Sequence, residues 1–171
     1  MNLYLPFPTE NLKLGTLSSA RAGTHVFEQQ DVEAVNAALA AGRPLLIRGE
    51  PGVGKSQLAR AAAVKLGRAF VSEVIDARTE GRDLLWTFDA VRRLADAQMA
   101  GARSRSDESG EQLPDEGHYV VPGPLWWAFN WSNAEAQAER AGEAAPPVPE
   151  SCDPKNGVVL LLDEIDKADS S

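Results

Sequence analysis

Residues 49 to 56 read Gly49-Glu50-Pro51-Gly52-Val53-Gly54-Lys55-Ser56, a full match to the pattern G-x-x-x-x-G-K-[ST]. Such a run can do one kind of chemistry well. A triphosphate is a dense negative charge, and main-chain N–H groups turned inward by a tight glycine loop hold it without any cationic side chain. The amides from about Val53 to Gln57 are placed to face phosphate oxygens, with Lys55 reaching the β and γ phosphates. Ser56 offers a hydroxyl to Mg2+, which bridges β and γ oxygens in such sites. A second cluster, Asp163-Glu164, ends the aliphatic run Val158-Val159-Leu160-Leu161-Leu162. An acid at the end of a buried strand can hold magnesium directly or through water. Glu164, one residue further, can polarise an attacking water as a general base. The bland readings are a glycine turn with a surface lysine, and two acids that cap the helix carrying Ile165, Asp166 and Lys167. The two motifs together select the phosphate and metal reading.

The elements that must position these groups follow from periodicity. Val32, Val35 and Leu39 recur at helical spacing, with Asp31 as N-cap and Gly42 as stop. Pro44 to Arg48 predicts a buried strand leading into the glycine loop. Leu58, Ala59, Ala62 and Leu66 mark one face of a helix closed by Gly67, and Ala69 to Ile75 a second strand. This strand, loop, helix, strand order is the context a phosphate loop requires. Asp83 to Met99 predicts a further helix, with Asp83 as its cap. Residues 103 to 118 form a polar excursion, and Tyr119-Val120-Val121 a short strand closing it. Pro124 predicts the first position of a helix bearing Leu125, Trp126, Trp127, Phe129 and Trp131, tryptophans that favour packing over docking. Ala141 to Pro154 is an Ala, Pro and Glu-rich link, and Val158 to Leu162 a fully buried last strand. Residues 1 to 24 read as an extended lead-in in which Tyr4, Leu5 and Phe7 could cover an apolar groove.

Composition narrows the class. The chain has 171 residues, 43% of them hydrophobic, enough for one domain with a sizeable core. A net charge of −8 disfavours nucleic acid and anionic membrane as partners. Cys152 is the only cysteine, so no disulfide forms within the chain, and the expected compartment is the cytoplasm. The N-terminus lacks a signal-peptide pattern, and no apolar run is long enough to span a bilayer.

Rival nucleotide classes fit less well. Asp166-Lys167-Ala168-Asp169 imitates a guanine-reading element but lacks its asparagine and follows too closely on Asp163-Glu164. A small-molecule kinase has no need of a water-polarising Glu164.

With both motifs placed, the chain resembles AAA+ ATPases, and among them the MoxR-like and dynein-related branch. The resemblance rests on residues 49 to 56, on Gly123-Pro124-Leu125, and on Leu-Leu-Leu-Asp-Glu-Ile-Asp-Lys-Ala at 160 to 168, and covers roughly residues 25 to 171. It implies a P-loop NTPase fold of the α/β class, a three-layer αβα sandwich with a mainly parallel sheet. The lead-in is then residues 1 to 24 and the ATPase core residues 25 to 171, with a polar insert at about 100 to 123 in the second helix. In the family such inserts face a central pore and touch the remodelled partner; a surface loop without a role is the alternative here. The resemblance also implies ATP and Mg2+ as ligands, a hexameric ring, a protein partner that is remodelled or activated, often a companion with a metal-ion-dependent adhesion fold, and an adenine contact near the His25 to Phe27 backbone. A complete domain of the family continues with a sensor strand, an arginine finger and a helical lid, so the chain reads as the N-terminal half of the module. The expectation is therefore an ATP hydrolase in the parent protein. The rival is a nucleotide-binding module or scaffold without turnover, above all for these 171 residues alone.

Overall fold

The computed structural model describes residues 4–6, 11–16, 22–50, 52–103 and 113–168. The chain divides into two compact units, one made of residues 1–77 and 146–171 and the other of residues 78–145.

In the first unit, strands β1 (Leu12–Leu14) and β2 (Gly23–His25) pair antiparallel, Leu12 opposite His25 and Leu14 opposite Gly23. Helix α1 spans Gln29–Ala41. Its N-cap is Glu28, in extended conformation, and not Asp31 as the sequence predicts. Asp31 lies one turn inside and accepts the Glu28 N–H at 3.2 Å through Oδ2, because an acid at the third helical position can reach back to the orphan donor at the cap. Gly42 closes the helix in left-handed conformation, as expected.

Residues 43–50 carry no strand, which corrects the strand predicted over Pro44 to Arg48. An apolar run becomes a strand only against a partner. None of the described strands ladders onto this one, and Leu46 is 64% exposed. Helix α2 follows over Lys55–Leu66, ended by Gly67 at φ 64°. It buries Leu58, Ala61, Ala62, Ala63 and Leu66.

Strand β3 (Ala69–Val74) runs parallel to β6 (Val158–Asp163), with Ala69 opposite Val158 and Val74 opposite Asp163. The β6 strand is half-buried along its length and not fully buried as its composition predicts. Among the described residues it ladders onto β3 alone, so one edge and part of both faces stay open. The Gly67 carbonyl accepts from the Asp153 N–H at 3.0 Å and from Asn156 Nδ2 at 2.9 Å. These bonds tie the entry of β6 to the exit of α2, and so set the parallel register that carries Asp163 toward the glycine loop.

The second unit begins with a turn. Asp83 accepts the Glu80 N–H at 3.2 Å there, so it caps a turn and not a helix. The helix predicted from Asp83 instead starts at Ala90, because Trp86-Thr87-Phe88 forms strand β4, antiparallel to β5 (Val120–Pro122). Aromatic and β-branched residues favour that state. Helix α3 spans Ala90–Arg103. Within the predicted polar excursion, residues 104–112 lie outside the described set. Residues 116–119 form a 3-10 turn that buries Tyr119, whose hydroxyl donates to Asp96 at 3.1 Å. Gln137 donates to the carbonyls of Gly117 and Val120, both at 2.7 Å, and fastens this turn to α5.

The aromatic helix is two helices, α4 (Pro124–Phe129) and α5 (Trp131–Ala141). They break at Asn130, whose side chain accepts the Asn133 N–H at the start of α5. Trp127 is buried and meets Trp131 edge-on at 4.9 Å, as packing residues should, whereas Phe129 is 77% exposed.

Candidate nucleotide and magnesium site

The site is built at the start of α2 and the end of β6, both in the first unit. Gly52 and Gly54 have φ of 87° and 91°, a region that side chains disfavour. These two glycines let the chain reverse and enter α2 at once, with Gly54 as its cap. A Cβ on Gly49 would stand 3.3 Å from Val53 Cγ2, so the loop closes tightly at that end as well. Pro51 lies outside the described residues. The first amides of any helix lack intrahelical acceptors and carry its positive dipole end. In α2 those are the amides of Lys55, Ser56 and Gln57, and the Leu58 N–H is the first to find its acceptor, Gly54, at 2.9 Å.

Lys55 Nζ donates to the carbonyls of Gly49 and Glu50, both at 2.8 Å. The ammonium thus lies across the loop that the sequence assigns to phosphate. Ser56 Oγ donates to Asp163 Oδ2 at 2.5 Å, joining two motifs that are 107 residues apart. Asp163 is held there by register: its carbonyl accepts the Ile75 N–H at 2.9 Å, continuing the β3 ladder. Its second oxygen, Oδ1, accepts the Glu164 N–H at 3.0 Å. Glu164 is exposed and has left-handed backbone, φ 56° and ψ 33°. It also precedes a 3-10 turn over Ile165–Lys167, so the helix-capping and catalytic readings share one backbone position.

A hydroxyl and a carboxylate oxygen 2.5 Å apart form a hard donor pair, the kind that suits magnesium, which takes few protein ligands and completes its shell with phosphate and water. Ser56 and Asp163 therefore fit the ion. Among the described residues no group of three or more His, Cys, Asp or Glu could hold a metal, and this pair does not depend on one. The Gln57 side chain lies near Gly23 of β2, which leaves its amide as the group that the sequence assigns to the loop. Cys152 is half-buried, and burial pushes its thiol pKa up, away from a reactive thiolate.

Two features of the first unit escape the sequence reading. One is the left-handed backbone of Glu164, which no residue type announces. The other is Asn36, a polar residue set among Val32, Val35 and Leu39 on α1, whose partner is the backbone of Leu5. A polar side chain interrupting an apolar face is the signal that could have found it.

No described helix is long and apolar enough to cross a membrane. No curated protein and no solved structure matches the chain. The profile of the AAA domain (dynein-related subfamily) matches residues 44–171, which include the glycine loop, α2, the β3–β6 pair and Asp163-Glu164. The chain belongs to the AAA domain family, dynein-related subfamily, and is an ATP-binding ATPase domain with an α/β P-loop fold.

Proposed function

We propose that this domain binds ATP with magnesium and hydrolyses it, and that the parent protein uses the cycle to remodel or activate a protein partner. The 2.5 Å contact between Ser56 and Asp163 carries the reading, because it brings the helix that starts the phosphate loop to the strand that ends in two acids. Loop amides and the Lys55 ammonium hold the β and γ phosphates; to do so Lys55 exchanges its carbonyl partners Gly49 and Glu50 for phosphate oxygens. Ser56 and Asp163 hold the metal. Magnesium, when bound, neutralises charge on the β and γ oxygens. Glu164 accepts the proton of the attacking water as its oxygen bonds to the γ phosphorus and the bond to the β,γ-bridging oxygen breaks, leaving ADP and inorganic phosphate.

A MoxR-like place within the subfamily, a hexameric ring and a reducing compartment belong to the same proposal. The first two rest on resemblance, and the third on the single cysteine.

The experiment pairs two variants of the full-length parent. Lys55→Ala should lose ATP binding, measured with a fluorescent ATP analogue, while Glu164→Gln should retain ATP and stop releasing phosphate. Unchanged ATP affinity in Lys55→Ala would remove the phosphate-loop assignment. Equal phosphate release by wild type and Glu164→Gln would remove Glu164 as the general base, and no release by either would leave the rival reading, a nucleotide-binding module without turnover.

A further inference from the structure

The sequence before residue 44 lies outside the matched domain, yet it supplies half of the core around α2. One buried cluster joins Leu5, Leu14, Phe27 and Val32 to Leu58, Ala61, Ala62 and Leu66 of α2. Leu5 enters this cluster in an unusual way. Asn36 of α1 accepts the Leu5 N–H through Oδ1 at 2.8 Å and donates from Nδ2 to the Leu5 carbonyl at 2.9 Å. Both backbone groups of a single residue are therefore read by one side-chain amide, as a neighbouring strand would read them. The side chain of Leu5 is 3% exposed, while Tyr4 and Pro6 on either side face outward. That in-and-out alternation is strand-like. Pro6 biases Leu5 to the extended conformation the clamp needs. Residues 4–6 have the anatomy of a bound peptide: one anchor side chain, one backbone clamp and a pre-extended chain.

We infer that this segment is an internal peptide strap whose seating fixes α2, and through α2 sets the affinity of the nucleotide site. Leu58, Ala61 and Ala62 lie within two turns of Lys55 and Ser56 on the same rigid helix. The same helix also packs against β6, which carries Asp163. The helix is thus held by both the N-terminal layer and the parallel strand pair, and its first turn must stay in register with Asp163 for Ser56 to meet it. Unseating Leu5 removes an anchor from one of them only and lets that turn shift. Leu5 and Asn36 are positioning residues: they touch neither phosphate nor metal and act through α2. The inference rests on the nucleotide reading of Lys55 and Ser56 given above.

The test uses the full chain with Leu5→Ala and, separately, Asn36→Ala. Asn36→Ala removes the clamp while leaving the anchor, and serves if Leu5→Ala does not fold. Affinity for a fluorescent ATP analogue with magnesium is expected to fall about tenfold, a change of about 1.4 kcal/mol. Amide exchange at residues 55–58 should quicken in the nucleotide-free protein. A synthetic peptide of residues 1–10, added to Leu5→Ala, should restore both, which a merely destabilised fold would not allow. Affinity within twofold of wild type in both variants, or loss without peptide rescue, overturns the inference. If wild type itself binds no ATP analogue, the nucleotide reading has failed, and the strap is judged by exchange at residues 55–58, where no difference overturns it.

Discussion

Glu164 is the one non-glycine residue with positive φ among the described residues, at 56°. Left-handed backbone costs a residue with a Cβ roughly 1–2 kcal/mol, and glycine almost nothing. Here the Asp163 carboxylate accepts the Glu164 N–H, which helps to hold the turn. Glu164→Gly should therefore be more stable than Glu164→Ala by about 1 kcal/mol in urea unfolding, the reverse of the usual order. A less stable glycine variant would show that the backbone is not strained. His25 offers a second residue-scale test. Its imidazole is 9% exposed and edge-on to Phe27 at 4.7 Å, with Nε2 buried and unpartnered among the described residues. Burial pushes its pKa below 6.5, and the Asp31 carboxylate only partly opposes this. A folded pKa below the unfolded value means that the unfolded chain binds the proton more tightly. Stability is thus unaffected by His25 above about pH 6.5 and declines as pH falls from there toward the folded pKa. The pH dependence of thermal unfolding should flatten below about pH 6.5 in His25→Phe. Persistence of the full slope would assign it to other groups.

At the scale of elements, breaks decide where each side chain goes. Gly42 and Gly67 end α1 and α2 as their sequence positions announce, because a glycine after an apolar helical stripe has few other uses. The start of α3 was not legible in this way. Asp83 is a good cap residue, but the strand pairing of Trp86–Phe88 with Val120–Pro122 pre-empts the helix, and pairing is a long-range event. Gly123 exists for the same long-range reason. A Cβ there would come within 2.5 Å of the Asp83 carbonyl oxygen and 2.6 Å of that of Leu84, both backbone atoms that cannot swing aside. Its N–H donates to the Leu85 carbonyl at 2.8 Å, and the Leu125 N–H to that of Leu84 at 2.7 Å. The Gly123-Pro124-Leu125 motif is therefore a packing device in which glycine allows the close approach and proline starts the helix. Gly123→Ala should cost at least about 2 kcal/mol in denaturant unfolding. Asn130→Ala, which removes only the cap of α5, should cost about 1 kcal/mol. A smaller loss for Gly123→Ala than for Asn130→Ala would mean that the turn gives way easily.

Across the whole molecule, every described candidate for phosphate and magnesium belongs to the first unit, although its two parts are separated by residues 78–145. Ligand binding stabilises the state that binds it, by about 2.7 kcal/mol at a ligand concentration of 100 times Kd. Amide exchange with ATP and magnesium should therefore slow most over residues 49–66 and 158–164. Protection confined to residues 78–145 would place the nucleotide elsewhere. The sequence by itself carries the phosphate and metal reading of the site: glycines, lysine, hydroxyl and acids in this order have few joint uses, and each side chain's chemistry travels with its type. It also determined α1, α2, β3 and β6, whose periodicity or apolar run is local. Tertiary structure alone decided that Ser56 meets Asp163, that Leu5 is clamped by Asn36, that Pro44 to Arg48 forms no strand among the described residues, and that Glu164 turns left-handed. Each of these depends on a partner from elsewhere in the chain or on a backbone angle set by the packing around it. No window of neighbouring residues contains that partner or that angle.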